Sequence, residues 1–151
     1  MLHITEVLMG RIEKEEYIIG SVSLLANKFS QFGDSIHEEM TYKQWFMLHM
    51  ISKMDEGEKN LNTIADFVGT SRQNVKKLVD QLEEKKYLKV RRSTKDQRSL
   101  KVELTAKTKK YFEKTYKITS KKTDELFRNI EDSKLDELVL DLTKLMECFE
   151  E

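Results

Sequence analysis

From Leu61 to Thr105 the chain reads as a short amphipathic segment, a glycine, a basic amphipathic segment, and two alternating segments around a polar turn. Ile64, Ala65 and Val68 recur at helical spacing and stop at Gly69, which takes the left-handed conformation without penalty. Ser71 follows as an N-cap, with Asn74 three residues on. Val75, Leu78, Val79 and Leu82 then keep one face apolar, while Arg72, Gln73, Lys76 and Lys77 fall on the other. Leu88 and Val90, then Leu100, Val102 and Leu104, alternate with polar neighbours on either side of Ser93-Thr94-Lys95-Asp96-Gln97-Arg98, the pattern of a hairpin. Ala65, Gly69 and Val75 have the types that two closely packed helices joined by a tight turn require: small, turn-forming and branched apolar. The spacing predicts a helix-turn-helix with a wing, in a chain that is mainly α with a small β-wing.

The flanks read as long helices. Ile18, Val22, Leu25, Phe29, Phe32 and Ile36 form one stripe on a helix predicted over Glu13 to about Glu38. A second helix starts at Thr41, where Thr41 and Gln44 fit a capping box, and carries Trp45, Phe46, Leu48, Met50, Ile51 and Met54. Thr105 is read as the cap of a fifth helix reaching about Asn129. Ser133 opens a last one, with Leu135, Leu138, Leu142, Leu145 and Phe149 in step. The predicted organisation is a winged helix-turn-helix over 41–105, with helical dimerisation regions over 1–40 and 106–151. Three long apolar stripes exceed what one small winged domain covers, and exposed patches of that size mark an interface. A homodimer through Ile18, Val22, Leu25 and Phe29 at one end and Leu138, Leu142, Leu145 and Phe149 at the other is the economical arrangement.

Charge narrows the partner. The net charge is zero, but Ser71 to Lys110 holds 14 lysines and arginines against 5 acids, and the rest of the chain 13 against 22. Such concentration is the footprint of a polyanion site, or of a solvated basic face, and charge alone leaves both open. No apolar run approaches the roughly 20 residues of a membrane span. The N-terminus is too acidic for a secretory signal, so a cytoplasmic location is expected. The single Cys148 excludes an internal disulfide and a cysteine-cage zinc site. No phosphate-binding glycine loop, nucleophile elbow or carboxylate pair stands in a convincing context, so no enzyme and no cofactor are expected.

Five stretches carry a resemblance to one family: Thr41-Tyr42-Lys43-Gln44-Trp45, Ile64-Ala65-Asp66, Ser71-Arg72-Gln73-Asn74-Val75, Leu78-Val79-Asp80-Gln81-Leu82-Glu83, and Asp96-Gln97-Arg98-Ser99 before Leu104-Thr105. Over nearly its full length the chain resembles the MarR family of regulators, and the Asp-x-Arg-Ser wing is the most specific element. The resemblance implies an obligate homodimer with interlocked terminal helices and two winged domains straddling a palindromic operator. It also implies a pocket for a small aromatic ligand, for which Tyr17, Trp45, Met47, Met50 and Met54 are candidates; a Met and aromatic stripe is more often core. Three positions depart from the family pattern: Lys86 stands where many members have glycine after the recognition helix, Lys43 where many have proline, and the wing lacks its usual prolines. If Lys86 adopts the left-handed conformation, the cost is on the order of 1 kcal/mol.

Residue chemistry assigns roles without the family. Ser71, Arg72, Gln73, Asn74, Lys76 and Lys77 occupy the exposed start of the second helix of the pair; Arg, Gln and Asn pair with base edges in a major groove, and lysines suit phosphates. Arg98 at the wing tip suits a minor groove, Asp96 braces the hairpin, and Arg91, Arg92 and Lys95 line the adjacent backbone. His37-Glu38-Glu39 looks metal-friendly, but adjacent residues on a helix point different ways, so no metal site is assigned. The expectation is a sequence-specific transcriptional regulator of double-stranded DNA, most often a repressor in the family. An architectural DNA-associated protein with little sequence choice is the alternative.

Overall fold

The computed structural model describes residues 10–55, 59–92 and 100–150. Their elements run α1 (Arg11–Asp34), α2 (Tyr42–Lys53), α3 (Leu61–Val68), α4 (Arg72–Glu84), β1 (Leu88–Arg92), β2 (Leu100–Leu104), α5 (Ala106–Phe127) and α6 (Asp132–Glu147). The chain divides into two compact units, Met1–Tyr111 and Phe112–Glu151, with the division inside α5.

Local chemistry explains the element ends. Thr41 Oγ1 accepts from the Gln44 amide and Gln44 Oε1 from the Thr41 amide, the reciprocal box that starts α2. Asn60 caps α3 by accepting from the Asn62 and Thr63 amides. Gly69, at φ 69°, closes α3, and the Thr70 amide reaches back to the Ala65 carbonyl. Ser71 caps α4 through the Asn74 amide. Past the end of α4, Lys86 takes φ 64°. The Tyr87 and Lys86 amides bond the Leu82 and Glu83 carbonyls, both at 2.8 Å, so a lysine performs the helix stop usually given to glycine.

Two boundaries differ from the sequence-based expectation. Helix α1 ends at Asp34 because the chain turns there: the Ile36 and His37 amides both bond the Gly33 carbonyl. Thr105 stands directly before α5, as expected, its carbonyl accepting from the Thr108 and Lys109 amides, and its hydroxyl donates to the Lys86 carbonyl at 2.8 Å, fastening the start of α5 to the end of α4. Helix α6 begins at Asp132 after Glu131, which makes no side-chain cap bond.

The core of the first unit is built from Met47, Leu48 and Ile51 of α2, Leu61, Ile64 and Ala65 of α3, and Val75, Val79 and Leu82 of α4. Tyr87, Leu88, Val102 and Tyr111 close it. Full burial of each large aliphatic side chain contributes about 1.5–3 kcal/mol. Strands β1 and β2 pair antiparallel in the register Leu88↔Leu104, Val90↔Val102, Arg92↔Leu100. The Val102 amide also bonds the Lys59 carbonyl at 2.7 Å, which ties the ribbon to the residues leading into α3.

Candidate nucleic-acid interface

Helix α4 presents two chemically distinct faces. Val75, Val79 and Leu82 are buried and Leu78 is half-buried, whereas Ser71, Arg72, Gln73, Asn74, Lys76 and Lys77 are all exposed. The apolar face packs on α2 and α3 and so turns the polar face outward. At the first turn Arg72 and Gln73 are available to solvent, while the Asn74 amide group donates to Thr70 Oγ1 at 3.0 Å. Lys76 pairs with Asp80 at 2.7 Å, an exposed i,i+4 contact that leaves the ammonium accessible to a phosphate.

The ribbon adds cations on a second element. Arg91 and Lys101 face each other across the strands, a like-charge pair that is unfavourable by itself. Glu103 moderates it, at 3.1 Å from Lys101 and 3.6 Å from Arg91, and the Lys101 hydrogen bond holds its carboxyl below the usual range. Two cations share one carboxylate, leaving positive charge that an external anion would neutralise. Arg92 is exposed one residue on. Lys95, Asp96 and Arg98 lie outside the described residues.

Side chains behind α4 hold it in place. Glu83 Oε1 accepts from the Val90 amide at 2.8 Å, joining the helix to β1. Gln44 of α2 donates to Gln81 Oε1 at 3.1 Å and accepts from Lys85 Nζ at 3.0 Å, and Lys85 also donates to the Glu39 carbonyl. The Tyr87 hydroxyl donates to Glu39 Oε2 at 2.6 Å; burial first, then Glu39, raises its pKa. Lys107 caps this corner, its ammonium 4.2 Å from the Tyr87 ring centroid and donating to the Lys85 carbonyl. Sequence patterns reveal none of these supporting roles; they place Gln44 only in its capping box.

Of the candidate pocket residues, Tyr17 lies on α1, Trp45, Met47 and Met50 on α2, and Met54 at the C-cap of α2. Met47 is 2% exposed and belongs to the core. Trp45 stacks with His37 at 4.8 Å and with His49 at 5.1 Å between ring centroids, and Tyr17, Met50 and Met54 are half-buried. A cleft of about 330 Å³ opens beside Asp34, His37, Glu38, Glu39, Met40, Thr41 and Lys85. Among the described residues no group of three or more His, Cys, Asp or Glu is placed to hold a metal ion, and no helix is long and apolar enough to cross a membrane.

Along the α1 stripe Ile36 is buried and Phe32 half-buried. Ile18, Val22 and Leu25 are 44–47% exposed, Leu138, Leu142 and Leu145 41–46%, and Phe149 86%; Phe29 is half-buried. Helix α6 has no buried residue.

A helix pair packed through its apolar faces, an outward polar N-terminal turn on the second helix, and a cationic two-stranded ribbon directly after it define a winged helix-turn-helix protein. The family model for the transcriptional regulator SarA/Rot matches residues 31–115, more than half of the chain. The chain belongs to that family of transcriptional regulators, which are not enzymes. No curated protein matches it. Among solved structures it is similar to a MarR/EmrR family regulator from Acinetobacter sp. ADP1, at 22% identity over 90% of this chain and 96% of that one, with a TM-score of 0.77. BldR from Sulfolobus solfataricus superposes with a TM-score of 0.79 at 18% identity, covering 92% and 99% of the two chains. The S. aureus MepR–DNA complex gives 0.71 at 19% identity, covering 85% and 93%. The fold is therefore that of MarR-type winged-helix regulators.

Proposed function

We propose that the protein is a sequence-specific repressor that binds a palindromic operator as a homodimer, with α4 in the major groove and the wing on the adjacent minor groove. The observation that carries this reading is the exposed first turn of α4, where Arg72 and Gln73 stand free of the core with Asn74 beside them. A coat for DNA needs cations alone, whereas these side chains match base edges. The solved MepR relative is bound to DNA, which supports the docking of the shared fold. The exposed apolar faces of α1 and α6 supply a two-fold interface, and a two-fold protein matches a palindromic site. A small ligand or other signal loosens the grip; Tyr17, Trp45, Met47, Met50 and Met54 remain the proposed contributors to its pocket.

Selection of bound duplexes from random DNA tests the reading. An inverted repeat with half-sites about one helical turn apart is expected. Recovery of duplexes without shared sequence would favour the architectural alternative.

A further inference from the structure

Gln44, near the start of α2, is buried, at 7% exposure. Every polar atom of its amide group has a partner. Oε1 accepts from the Thr41 amide at 3.3 Å and from Lys85 Nζ at 3.0 Å, and Nε2 donates to Gln81 Oε1 at 3.1 Å. Gln81 lies in the last turn of α4 and Lys85 is its C-cap. Lys85 Nζ also donates to the Glu39 carbonyl at 3.1 Å, in the segment between α1 and α2. One buried amide thus pins the far end of α4 at two points to the start of α2.

We infer that Gln44, acting through Gln81 and Lys85, is the positioning residue that sets the angle at which α4 meets DNA, and so governs sequence discrimination rather than general affinity for DNA. The inference rests on the reading of α4 as the base-reading helix. The physics is that of a lever. Helix α4 has 13 residues, hence a length of about 20 Å, so a tilt of about 5° about its C-terminal end moves the first turn by roughly 1.7 Å. Paired hydrogen bonds from Arg72 or Gln73 to a base edge tolerate only about 0.5 Å of displacement. Lysines reaching phosphates through flexible stems follow such a shift and keep their contacts. The apolar contacts of Val75, Val79 and Leu82 hold α4 against the core but are non-directional and permit small rotations. The directional bonds at the C-terminal end remove that freedom.

The test compares the wild type, Gln44→Leu, Gln44→Glu and Lys85→Met on two duplexes of equal length and composition, one selected by the wild-type protein from random DNA and one scrambled. Gln44→Leu keeps the apolar volume and leaves Thr41, Gln81 and Lys85 within reach of water, so folding is retained; circular dichroism checks this. The expected result is a loss of about tenfold in the ratio of selected to scrambled affinity, the scale of one misplaced base contact. Affinity for the scrambled duplex should stay within about twofold, because phosphate contacts are unchanged. Gln44→Glu restores most of the ratio, since a carboxylate accepts from Lys85 and Thr41 while Gln81 turns its amide to donate. Lys85→Met alters an exposed side chain, reproduces part of the loss, and serves in place of Gln44→Leu should that variant not fold. Equal ratios for wild type, Gln44→Leu and Lys85→Met overturn the positioning role alone. A parallel drop on both duplexes overturns it too, because that is general destabilisation. A wild type that binds both duplexes equally overturns the base-reading assignment of α4, and this inference with it.

Discussion

The Tyr42 ring lies against Gly33 so closely that a β-carbon on residue 33 would stand 2.0 Å from Tyr42 Cδ2 and 2.6 Å from Cγ. Gly33 is a buried residue near the end of α1, and the neighbouring Asp34 carboxylate accepts the Tyr42 amide at 2.6 Å. The glycine therefore sets how near α2 can start to the end of α1. Gly33→Ala is expected to cost about 1–3 kcal/mol through overpacking. Urea denaturation measures it, and the penalty should shrink but not vanish on a Tyr42→Ala background, because the Tyr42 Cβ, 2.9 Å from the added carbon, is kept.

Lys86 holds φ 64° at the junction of α4 and β1, where a side chain is unfavourable and glycine is not. Lys86→Gly should stabilise the fold by up to about 1 kcal/mol, and raise the melting temperature, without altering the bonds of the Lys86 and Tyr87 amides to Glu83 and Leu82. Lys86→Val should do the reverse, because branching at the β-carbon worsens the same steric clash.

His37 is 4% exposed, stacked on Trp45, and bonded through Nδ1 to the Tyr111 hydroxyl at 3.1 Å. Burial lowers its pKa from 6.5, partly opposed by Asp34, and burial with nearby Lys53 lowers that of His49. Below pH 6.5 the unfolded chain takes up protons that the folded one refuses. Stability should therefore be full above that value and fall as pH drops toward the lowered pKa. Denaturation midpoints at about pH 8 and about pH 5.5 bracket this window. His37→Phe, which keeps a ring on Trp45, should flatten the fall, leaving the part due to His49.

Contacts to DNA should separate by kind. Arg72→Ala or Gln73→Ala should change which sequences are preferred, at about 1–3 kcal/mol for each base-edge hydrogen-bond pair removed. Lys77→Ala should weaken binding evenly across sequences and lower the salt slope by about 1 for each phosphate no longer neutralised. Arg98→Ala is expected to weaken operator binding while fold and assembly persist. Titrations at several salt concentrations read all four.

Assembly is testable on the terminal helices. A carboxylate at Leu25 or Leu142 would stand in the middle of an apolar stripe, so Leu25→Glu and Leu142→Glu should shift the protein from dimer toward monomer in sedimentation at micromolar concentration. A wild type that sediments as a stable folded monomer would remove the two-fold model of operator binding.

Much of the architecture was legible in the chain because its signals are local. The capping box at Thr41 and Gln44, the stop at Gly69, the cap at Ser71 and the alternation of Leu88, Val90, Val102 and Leu104 each depend on residues a few positions apart. The outward face of α4 followed from periodicity alone, since Val75, Val79 and Leu82 leave Arg72, Gln73, Lys76 and Lys77 no inward direction. What holds α4 at its angle was not legible. Gln44 and Gln81 are 37 residues apart, Lys85 and Gln44 41, and Tyr87 and Glu39 48, and no pattern in a single sequence pairs polar groups over such distances. Thr105 shows the same limit: its local signal places it before α5, where it stands, but its hydroxyl bond to the Lys86 carbonyl at 2.8 Å, 19 residues back, has no local signal. Local propensity decided where the helices and strands lie; which distant polar groups become partners was decided only once core packing had brought them within hydrogen-bonding distance.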